Sequence, residues 1–292
     1  MQLPPLAAIR AFESAARHLS FTKAADELGL TQAGISYQIK LLEERLGQAL
    51  FLRQPRALQL TELGQRLAAP TTQAFDLLRN AYADSSGRAS TLSITTPVTL
   101  SGNWLAERLG RFQMDHPELA LRLDASDKNI NFARDDFDLA IRFGHGDWPG
   151  LTAHRLFDFE ITPMLSPRLL EGRRLTDPAE LLTLPRIDSG DPHWALWFCK
   201  AGIAEMPEAA SPTPDLGTQI HEARAAIAGQ GVAVLTPRFF RYELATGSLV
   251  QPFQMTCGNG KSYWLVYPEA RRNRPAIRAF RQFILAEAAA DR

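Results

Sequence analysis

Polar side chains recur in one stretch of this chain at the spacing of a single helical face. They are Gln32, Ser36, Tyr37 and Lys40. Amide, hydroxyl and ammonium groups near the N-terminal end of a helix can hydrogen-bond to base edges in the major groove of DNA. The types and spacing of these residues therefore predict a surface that recognises DNA.

Two helices must position that surface, and both are marked by apolar periodicity. The segment 21–29 places Ala24, Ala25 and Leu28 on one face, and Gly29 can take the positive φ that ends a helix. Thr31 can cap a second helix, whose buried stripe consists of Ile35, Ile39, Leu42 and Leu46. The pattern predicts a helix-turn-helix. A small helical bundle with a merely solvated polar face is the alternative.

The next segment predicts a hairpin beside these helices. Two short apolar runs, Leu50–Leu52 and Ala57–Leu60, flank a turn at Gln54-Pro55. The hairpin carries Arg53 and Arg56, whose guanidinium groups would bind phosphates or enter a minor groove. Residues 1–60 contain seven basic and five acidic side chains, a net charge of +2 that is a weak electrostatic signal by itself.

These motifs resemble the LysR-type transcriptional regulators. The resemblance begins with AFESAARHLSFTKAADELGLTQAGISYQIKLLEERLGQALFLR at residues 11–53 and runs the whole length of the chain. DLAIRFGHGDWPGL at 138–151, GQGVAVL at 229–235 and SYWLVYP at 262–268 are similar to the branch that contains glycine-cleavage and β-lactamase activators. The resemblance implies a winged helix-turn-helix protein that regulates transcription.

The resemblance also assigns individual positions. Those facing DNA would be Thr31, Gln32, Ala33, Ser36, Tyr37, Gln38 and Lys40, with Ser20 and Thr22 near the DNA backbone and Arg53 and Arg56 on the wing. Two positions depart from the family pattern. Tyr37 replaces a common Arg or His, and Gly34 replaces a stronger helix former, so the operator sequence is not predictable.

A long helix is predicted after the hairpin, from Thr61 as N-cap to Ala83. A heptad seam suited to pairing with a second copy consists of Leu60, Leu63, Leu67, Pro70, Ala74, Leu77 and Ala81. Packing on its own domain is the alternative for this helix. Pro70 predicts a bend or break near Ala69. The family uses this helix to form dimers, so the resemblance agrees with the seam.

The remaining chain predicts an α/β architecture. Leu92–Thr96, a helix at Ser101–Met114 and Leu119–Ala125 form a βαβ unit. Later elements are expected at His221–Ala228, Gly231–Leu235, Arg238–Leu244, Tyr263–Tyr267 and Arg274–Ala288. The resemblance implies two lobes, as in periplasmic solute-binding proteins. The expected domains are 1–60 for DNA, 61–84 as linker, 85–90 as hinge and 91–292 as regulatory domain, with lobe I at 91–163 and 268–292 and lobe II at 164–267.

A cleft between two such lobes is expected to bind a small effector. Thr96, Thr99 and Ser101 lie between the first strand and helix, where hydroxyls and free amides could bind an anion, although simple N-capping by Ser101 is the alternative. The β-lactamase activator branch implies effector contacts at Ser101, at Thr218 or Gln219, and at Tyr263. Secondary candidates are Arg142, His145, Ser189, His193 and Trp194. A structural ion pair is the alternative for Arg142, and core packing for Trp194.

Other function classes find little support in the sequence. Cys199 and Cys257 are far apart, the six histidines form no ligand pair, and no phosphate-binding loop or nucleophile elbow is present. No enzyme activity, metal or cofactor is therefore expected. The formal net charge of +0, the lack of a signal peptide and the lack of a long apolar run favour a cytoplasmic protein that does not enter a membrane.

The sequence thus predicts a regulator with several partners. These are double-stranded operator DNA, a small effector, a second copy of the chain in a dimer or tetramer, and RNA polymerase if the protein is an activator. A solute-binding protein would leave residues 1–60 unexplained, and a helical adaptor would leave the lobes unexplained. The identity of the effector stays open between amino acids, peptidoglycan-like fragments, other small acids, or none.

Overall fold

The N-terminal unit begins with three helices. A computed structural model describes residues 3–54, 57–83, 90–132, 134–204 and 215–291. The helices are α1 (Leu6–His18), α2 (Phe21–Leu28) and α3 (Gln32–Leu46). The Ser20 hydroxyl accepts a hydrogen bond from the Lys23 amide at 3.2 Å, and the Thr31 hydroxyl accepts one from the Gly34 amide at 3.1 Å. Both predicted helices of the helix-turn-helix are confirmed; α1 was not predicted.

Small residues and aromatic rings hold these helices together. Alanines of α1 and α2 are buried at Ala8, Ala11, Ala15, Ala24 and Ala25, which lets the two backbones approach closely. The rings of Phe12 and Phe21 pack edge-on against Phe51 at centroid distances of 5.8 and 5.3 Å. The predicted stripe of α3 faces this core, with Ile35, Ile39 and Leu42 buried and Leu46 partly so. The opposite face of α3 is consequently left to solvent.

The predicted hairpin is confirmed. Strand β1 (Phe51–Gln54) pairs antiparallel with β2 (Ala57–Leu60), with Phe51 opposite Leu60 and Gln54 opposite Ala57. Pro55 and Arg56 at the tip lie outside the described residues, and of Arg53 only the backbone is described. The paired backbones of β1 and β2 therefore form the predicted wing.

The linker helix α4 (Glu62–Ala83) follows directly. The Thr61 hydroxyl accepts a hydrogen bond from the Gly64 amide at 3.1 Å and donates one to the Ala49 carbonyl at 2.8 Å, so its predicted capping role is confirmed. Of the predicted bend or break near Ala69, the break is wrong, because the helix continues through Pro70. Proline removes a single backbone donor, and the remaining ladder on either side is sufficient to keep the segment helical.

The predicted seam of α4 divides into two parts. Leu60, Leu63 and Leu67 pack against the core of the N-terminal unit, so this part of the seam is covered by its own chain. Farther along, the seam positions Pro70 and Ala74 are exposed, as is Leu78, which the predicted seam does not include. The predicted positions Leu77 and Ala81 belong to the helix, but their side chains are not described. The exposed part begins about where the contact with the wing unit ends.

The first lobe of the C-terminal region is built on a five-stranded sheet in the order β4-β3-β5-β9-β6. Its strands are β3 (Ser90–Thr96), β4 (Leu119–Ala125), β5 (Leu139–Gly144), β6 (Leu151–Asp158) and β9 (Ser262–Pro268). β3 and β4 are parallel, which confirms the predicted βαβ unit. Helix α10 (Pro275–Ala290) contributes buried Ile277, Phe280 and Ile284 to the lobe's core.

The helix after β3 begins earlier than predicted. It runs as α5 (Val98–Leu100), a π-helical segment (Ser101–Leu105) and α6 (Ala106–Asp115). Pro97 occupies the N-cap with φ −53°, and the Ser101 amide already donates to the Pro97 carbonyl at 2.9 Å. The alternative in which Ser101 caps this helix is therefore wrong, and its hydroxyl is left for other contacts.

The second lobe is smaller. A two-stranded antiparallel sheet joins β7 (Thr162–Met164) to β8 (Ala233–Leu235). Around it lie α7 (Pro192–Lys200), α8 (Gln219–Ile227) and α9 (Arg241–Ala245), with a 3₁₀ turn at Pro237–Phe239 before α9. The expected helix at 221–228 therefore starts two residues earlier, after Thr218, and the expected strand at 231–235 starts at Ala233.

The predicted boundary between the lobes is wrong for the strand near residue 263. β9 pairs antiparallel with both β5 and β6, so Tyr263 belongs to the first lobe and not to the second. The two crossovers instead lie near residues 159–161 and 257–261, where the Phe159 amide donates to the Lys261 carbonyl at 3.2 Å. A Cβ at Gly258 would lie 2.3 Å from the Phe159 carbonyl oxygen, so this close crossing requires glycine.

Among the described residues, no helix is both long and apolar enough to cross a lipid bilayer.

Candidate functional site

The outer face of α3 presents polar side chains to solvent. Gln32, Ala33 and Lys40 are exposed, Ser36 and Gln38 are half-buried, and Tyr37 retains 65% of its accessible surface. Within the described residues, the side chains of Gln32, Tyr37 and Gln38 make no hydrogen bond. Lys40 lies 3.7 Å from Glu44 in an exposed pair that solvent weakens. These groups are therefore free to hydrogen-bond to an external partner.

The start of α2 lies beside this face in sequence and in the fold. Ser20 is half-buried and caps the helix, whereas Thr22 is exposed in its first turn. Unpaired amides and hydroxyls at a helix N-terminus are suited to phosphate oxygens. The structure therefore leaves Ser20 and Thr22 at a position where a nucleic-acid backbone could contact them.

An ion-pair network that is only partly buried connects α2 to α1. Arg17 bonds to Glu13 at 3.2 Å and to Glu27, and His18 lies 2.6 Å from Glu27. Burial acts to raise the pKa of Glu27, but hydrogen bonds from Ser14, Arg17 and His18 outweigh it and lower that pKa. This network joins the two helices, and it was not anticipated from the sequence.

A second candidate site lies between the two lobes of the C-terminal region, where α5 meets α8. The Ile220 amide of lobe II donates to the Thr99 hydroxyl of lobe I at 3.2 Å. Ser101 is also buried, and the Thr96 hydroxyl is fully buried without a hydrogen-bond partner among the described residues. Of the three predicted hydroxyls of the first lobe, Thr99 thus contacts the second lobe, and Thr96 and Ser101 are buried within three residues of it in the chain.

The opposite wall is formed by the start of α8. The Thr218 hydroxyl lies 3.1 Å from His221 Nδ1, and the Gln219 side-chain oxygen accepts a hydrogen bond from the Thr236 amide at 2.8 Å. Gln219 thus joins α8 to the end of β8. Thr218 and Gln219 are both half-buried, and the Gln219 side chain is the one that bonds beyond α8.

Tyr263 lies on β9 at the base of the two lobes, next to the crossovers. Its ring is 7% exposed, and the ring centroids of Phe143, Phe157 and Phe239 each lie 5.3 Å away. Burial raises the pKa of the Tyr263 phenol well above its usual range, and the Asp127 carboxylate raises it further. The residue therefore stays a neutral phenol that can donate a hydrogen bond.

Two of the secondary candidates make structural contacts inside the fold. The Trp194 ring is fully buried, stacks on Phe198 and donates to the Ile187 carbonyl at 3.2 Å, so its prediction as a ligand-stacking residue is wrong. Arg142 is 8% exposed and donates to the Thr95 hydroxyl and to the Ile141 carbonyl. Desolvation by burial lowers the pKa of Arg142. Its hydrogen bonds connect β5 to Thr95 of β3 and to the Lys128 carbonyl, so they are structural contacts.

The other secondary candidates remain closer to solvent. His145 is exposed after β5, whereas Ser189 is half-buried in the turn before α7. His193 bonds to Asp191 at 2.8 Å, and its ring centroid lies 5.0 Å from that of Phe159 at the crossover. His193 is thus placed beside the junction of the lobes, while His145 is not brought to the residues of α5 and α8.

A buried acid on α8 was missed by sequence reasoning. Glu222 is 7% exposed, and burial raises its pKa to about 7, with the carboxylates of Asp191, Asp188 and Asp215 adding to the effect. The three aspartates belong to turns before α7 and α8, as capping residues usually do. No local pattern in the sequence indicates that they face one helix.

A winged helix-turn-helix, a linker helix and a two-lobed α/β region together define a DNA-binding transcriptional regulator with a ligand-binding domain. A family model described as bacterial regulatory helix-turn-helix protein, lysR family, matches residues 6–65, and one described as LysR substrate binding domain matches residues 85–289. The chain belongs to the LysR family of transcriptional regulators. The predicted family and fold class are confirmed.

Relatives of known name extend along nearly the whole chain. The HTH-type transcriptional activator AmpR of Pseudomonas aeruginosa is 40% identical and covers 98% of this chain and 97% of its own length. The glycine cleavage system transcriptional activator of Escherichia coli K12 is 36% identical, with 99% and 96% covered. The solved effector domain of AmpR from P. aeruginosa superposes with a TM-score of 0.61 at 34% identity, over 69% of this chain and 97% of that one.

Proposed function

We propose that α3 enters the major groove of operator DNA and that Gln32, Ser36, Tyr37 and Lys40 contact base edges there. The observation that carries this proposal is the exposed polar face of α3, on which Tyr37 keeps 65% of its surface. Its side chain combines an apolar ring with a hydroxyl group, a combination that is enriched at binding interfaces. Thr31, Ala33 and Gln38 complete the same face, and Ala33 can contact a thymine methyl group.

The wing and the start of α2 would contact the DNA backbone. Arg53 and Arg56 supply positive charge at the hairpin, and Ser20 and Thr22 supply hydroxyls beside the free amides of α2. Phosphate contacts of this kind fix the position of a protein on DNA without selecting a sequence. The wing arginines therefore contribute affinity, and α3 contributes the choice of site.

The small effector would bind between the lobes, against α5 and α8. Thr96, Thr99 and Ser101 line one side, Thr218 the other, and Tyr263 the base, with Ser189 and His193 nearby. An effector that inserts here would replace the direct hydrogen bond between Thr99 and Ile220. Because that bond joins the lobes, its replacement changes which arrangement of the two lobes is more stable. An effector that binds two arrangements with different affinity in this way meets the requirement for an allosteric effect.

The exposed half of α4 would pair with the same helix of a second copy. Pro70, Ala74 and Leu78 form its solvent-facing positions, and Leu78 keeps 41% of its surface. Pairing brings two recognition helices to adjacent half-sites. A dimer is the minimal active unit, and a tetramer would join two of them.

We further propose that the protein activates transcription, because both relatives named above are activators. An activator contacts RNA polymerase at the promoter, and it acts in the cytoplasm where the DNA is. Both relatives are regulators, and we infer on that ground that the protein binds its partners and does not catalyse a reaction.

Titrating the full chain against the DNA upstream of its own coding sequence, at several salt concentrations, tests the proposal. Wild type is expected to bind, and replacing both Arg53 and Arg56 with Ala should weaken all DNA binding and reduce the log–log salt slope by about 2. Arg174→Ala, which removes an exposed arginine of the second lobe, is the matched control and should change neither quantity. An unchanged slope in the double wing variant would contradict the assigned role of the wing.

A further inference from the structure

One buried carboxylate receives hydrogen bonds from both lobes. Asp291, which follows α10 in lobe I, has a side chain that is 5% exposed. From lobe I it accepts hydrogen bonds from Trp104 Nε1 at 2.8 Å and from an Arg108 guanidinium nitrogen at 3.1 Å. From lobe II it accepts one from Arg238 at 2.6 Å and another from Arg241.

The backbone of Asp291 takes part as well. Its carbonyl oxygen accepts from Arg238 at 2.6 Å and from Arg241 at 2.8 Å, so each lobe II arginine bonds to both the side chain and the main chain. The Arg238 guanidinium also lies over the Phe157 ring of lobe I, 4.6 Å from its centroid. Lobe II is thus attached to lobe I here by charge-assisted bonds, the strongest class of hydrogen bond in proteins.

This attachment lies on the same stretch of helix that forms the effector wall. Trp104 belongs to the π-helical segment Ser101–Leu105, and its neighbour Asn103 donates across the lobes to the Phe239 carbonyl at 2.9 Å. Phe239 precedes Arg241 by two residues and packs against Tyr263. A change at Asp291 would therefore be transmitted to Ser101 and Tyr263 through two adjacent elements.

We propose that Asp291 is a positioning residue that fixes the second lobe against the first and thereby sets the geometry of the effector cleft. It acts through Arg238 and Arg241 and touches no effector itself. The effect on effector binding rests on the proposed function, whereas the attachment of the lobes does not. An experiment can therefore contradict the effect on effector binding and still support the attachment of the lobes, or the reverse.

A neighbouring acid provides a matched control. Glu287 lies one turn earlier on α10 and pairs with Arg108 and Arg111, which both belong to α6 of lobe I. Replacing Glu287 with Gln removes a carboxylate–arginine pair within one lobe. Replacing Asp291 with Asn removes a pair that spans both lobes, with little change in side-chain volume.

Hydrogen–deuterium exchange on the purified full chain, with no effector added, tests the attachment. Asp291→Asn and Arg238→Gln each break a charge-assisted contact of the segment 237–245, so each is expected to raise exchange in that peptide about tenfold. Exchange in the peptide 219–227 should rise with it, because the Gln219 side chain accepts a hydrogen bond from the Thr236 amide just before that segment. The double variant should raise exchange by less than the product of the two single effects, since both substitutions remove the Asp291–Arg238 pair. Glu287→Gln should change those peptides by less than about twofold.

Two results would overturn the proposal. One is wild-type exchange in lobe II for Asp291→Asn, and the other is the same pattern for Asp291→Asn as for Glu287→Gln, with increases confined to α6 and α10. Arg241→Gln provides a second test of the attachment if the aspartate variant folds poorly. The Arg241 side chain is 55% exposed, so its loss leaves no cavity in the core. It should raise exchange in the peptide 237–245, and an unchanged rate there would also count against the attachment.

Discussion

The face of α3 and the cleft between the lobes are both proposed recognition sites, yet their polar groups are held in opposite ways. On α3, Tyr37 and Gln32 are exposed and make no hydrogen bond with a described residue. In the cleft, Thr99 is bonded to the other lobe, and the buried Thr96 hydroxyl has no hydrogen-bond partner within the part of the chain that the structure describes. DNA can therefore bind to α3 without breaking internal bonds, whereas an effector must exchange bonds that already join the lobes.

This difference has a consequence for regulation. A site whose polar groups are unpaired gains contacts on binding and needs no rearrangement, which favours fast and reversible association. A site whose groups cross a lobe junction couples binding to the arrangement of the lobes. The cleft is consequently suited to switching, and α3 is suited to reading a fixed surface.

The largest expected effect concerns the buried acid of the cleft wall. The folded protein keeps a proton on Glu222 up to about pH 7, whereas a solvated glutamate loses it near pH 4.5. Stability should thus fall as pH rises through this window, by an amount on the order of 2 to 3 kcal/mol. Glu222→Gln stays neutral at all pH values and should unfold at higher urea concentration than wild type at pH 8.

Glu107→Gln serves as the control, since Glu107 is an exposed acid in the first turn of α6. Its substitution should shift stability by no more than about 0.5 kcal/mol at either pH. If Glu222→Gln and wild type show the same urea midpoint at pH 8, the cleft wall does not hold a strained carboxylate. The cleft and the face of α3 would then differ less in how they hold their polar groups.

A smaller effect is expected from the cleft hydroxyls. Ser101→Ala and Tyr263→Phe each remove one hydroxyl from a buried site, so each should raise the effector concentration for half-maximal response about fivefold, corresponding to about 1 kcal/mol. A promoter reporter screened with amino acids and peptidoglycan fragments supplies the inducer and measures the response. Affinity for operator DNA, measured in parallel by gel shift, should stay at the wild-type value.

Thr246→Ala is the matched control for this pair, because Thr246 is an exposed threonine of the second lobe. It should leave both the induction curve and DNA affinity unchanged. A normal induction curve for Ser101→Ala and for Tyr263→Phe would remove these residues from the effector site. A loss of DNA affinity in either variant would instead show that the two regions are not separable.

The same contrast explains which features could be predicted from sequence. The helices α2 and α3 and the wing depend on caps, glycines and periodicity within a few residues, and Thr31, Gly29 and Pro55 are all local signals. Pro97 is also a local signal. The next helix begins directly after it at Val98, and not at the predicted Ser101, because proline is favoured at the start of a helix. The elements themselves were therefore largely predictable, with small errors at their ends.

Long-range pairing was not predictable in the same way. β9 inserts between β5 and β6, strands more than 100 residues away in the chain, so no local pattern assigns Tyr263 to the first lobe. Trp194 and Gln219 have residue types typical of binding sites, but tertiary contacts engage both in the fold. Glu222 and Asp291 were missed because their environments come from loops and helices that are distant in sequence.

The most direct test of the central claim is selection of binding sites from random double-stranded DNA with the full chain and with Gln32→Ala and Tyr37→Ala. Wild type is expected to enrich one motif, and each variant should relax or change preference at a few base pairs, at about 1 to 3 kcal/mol per lost base contact. Gln65→Ala, an exposed glutamine on α4, should enrich the wild-type motif. Enrichment of the same motif with the same affinity by all four proteins would contradict the claim that α3 selects the DNA sequence.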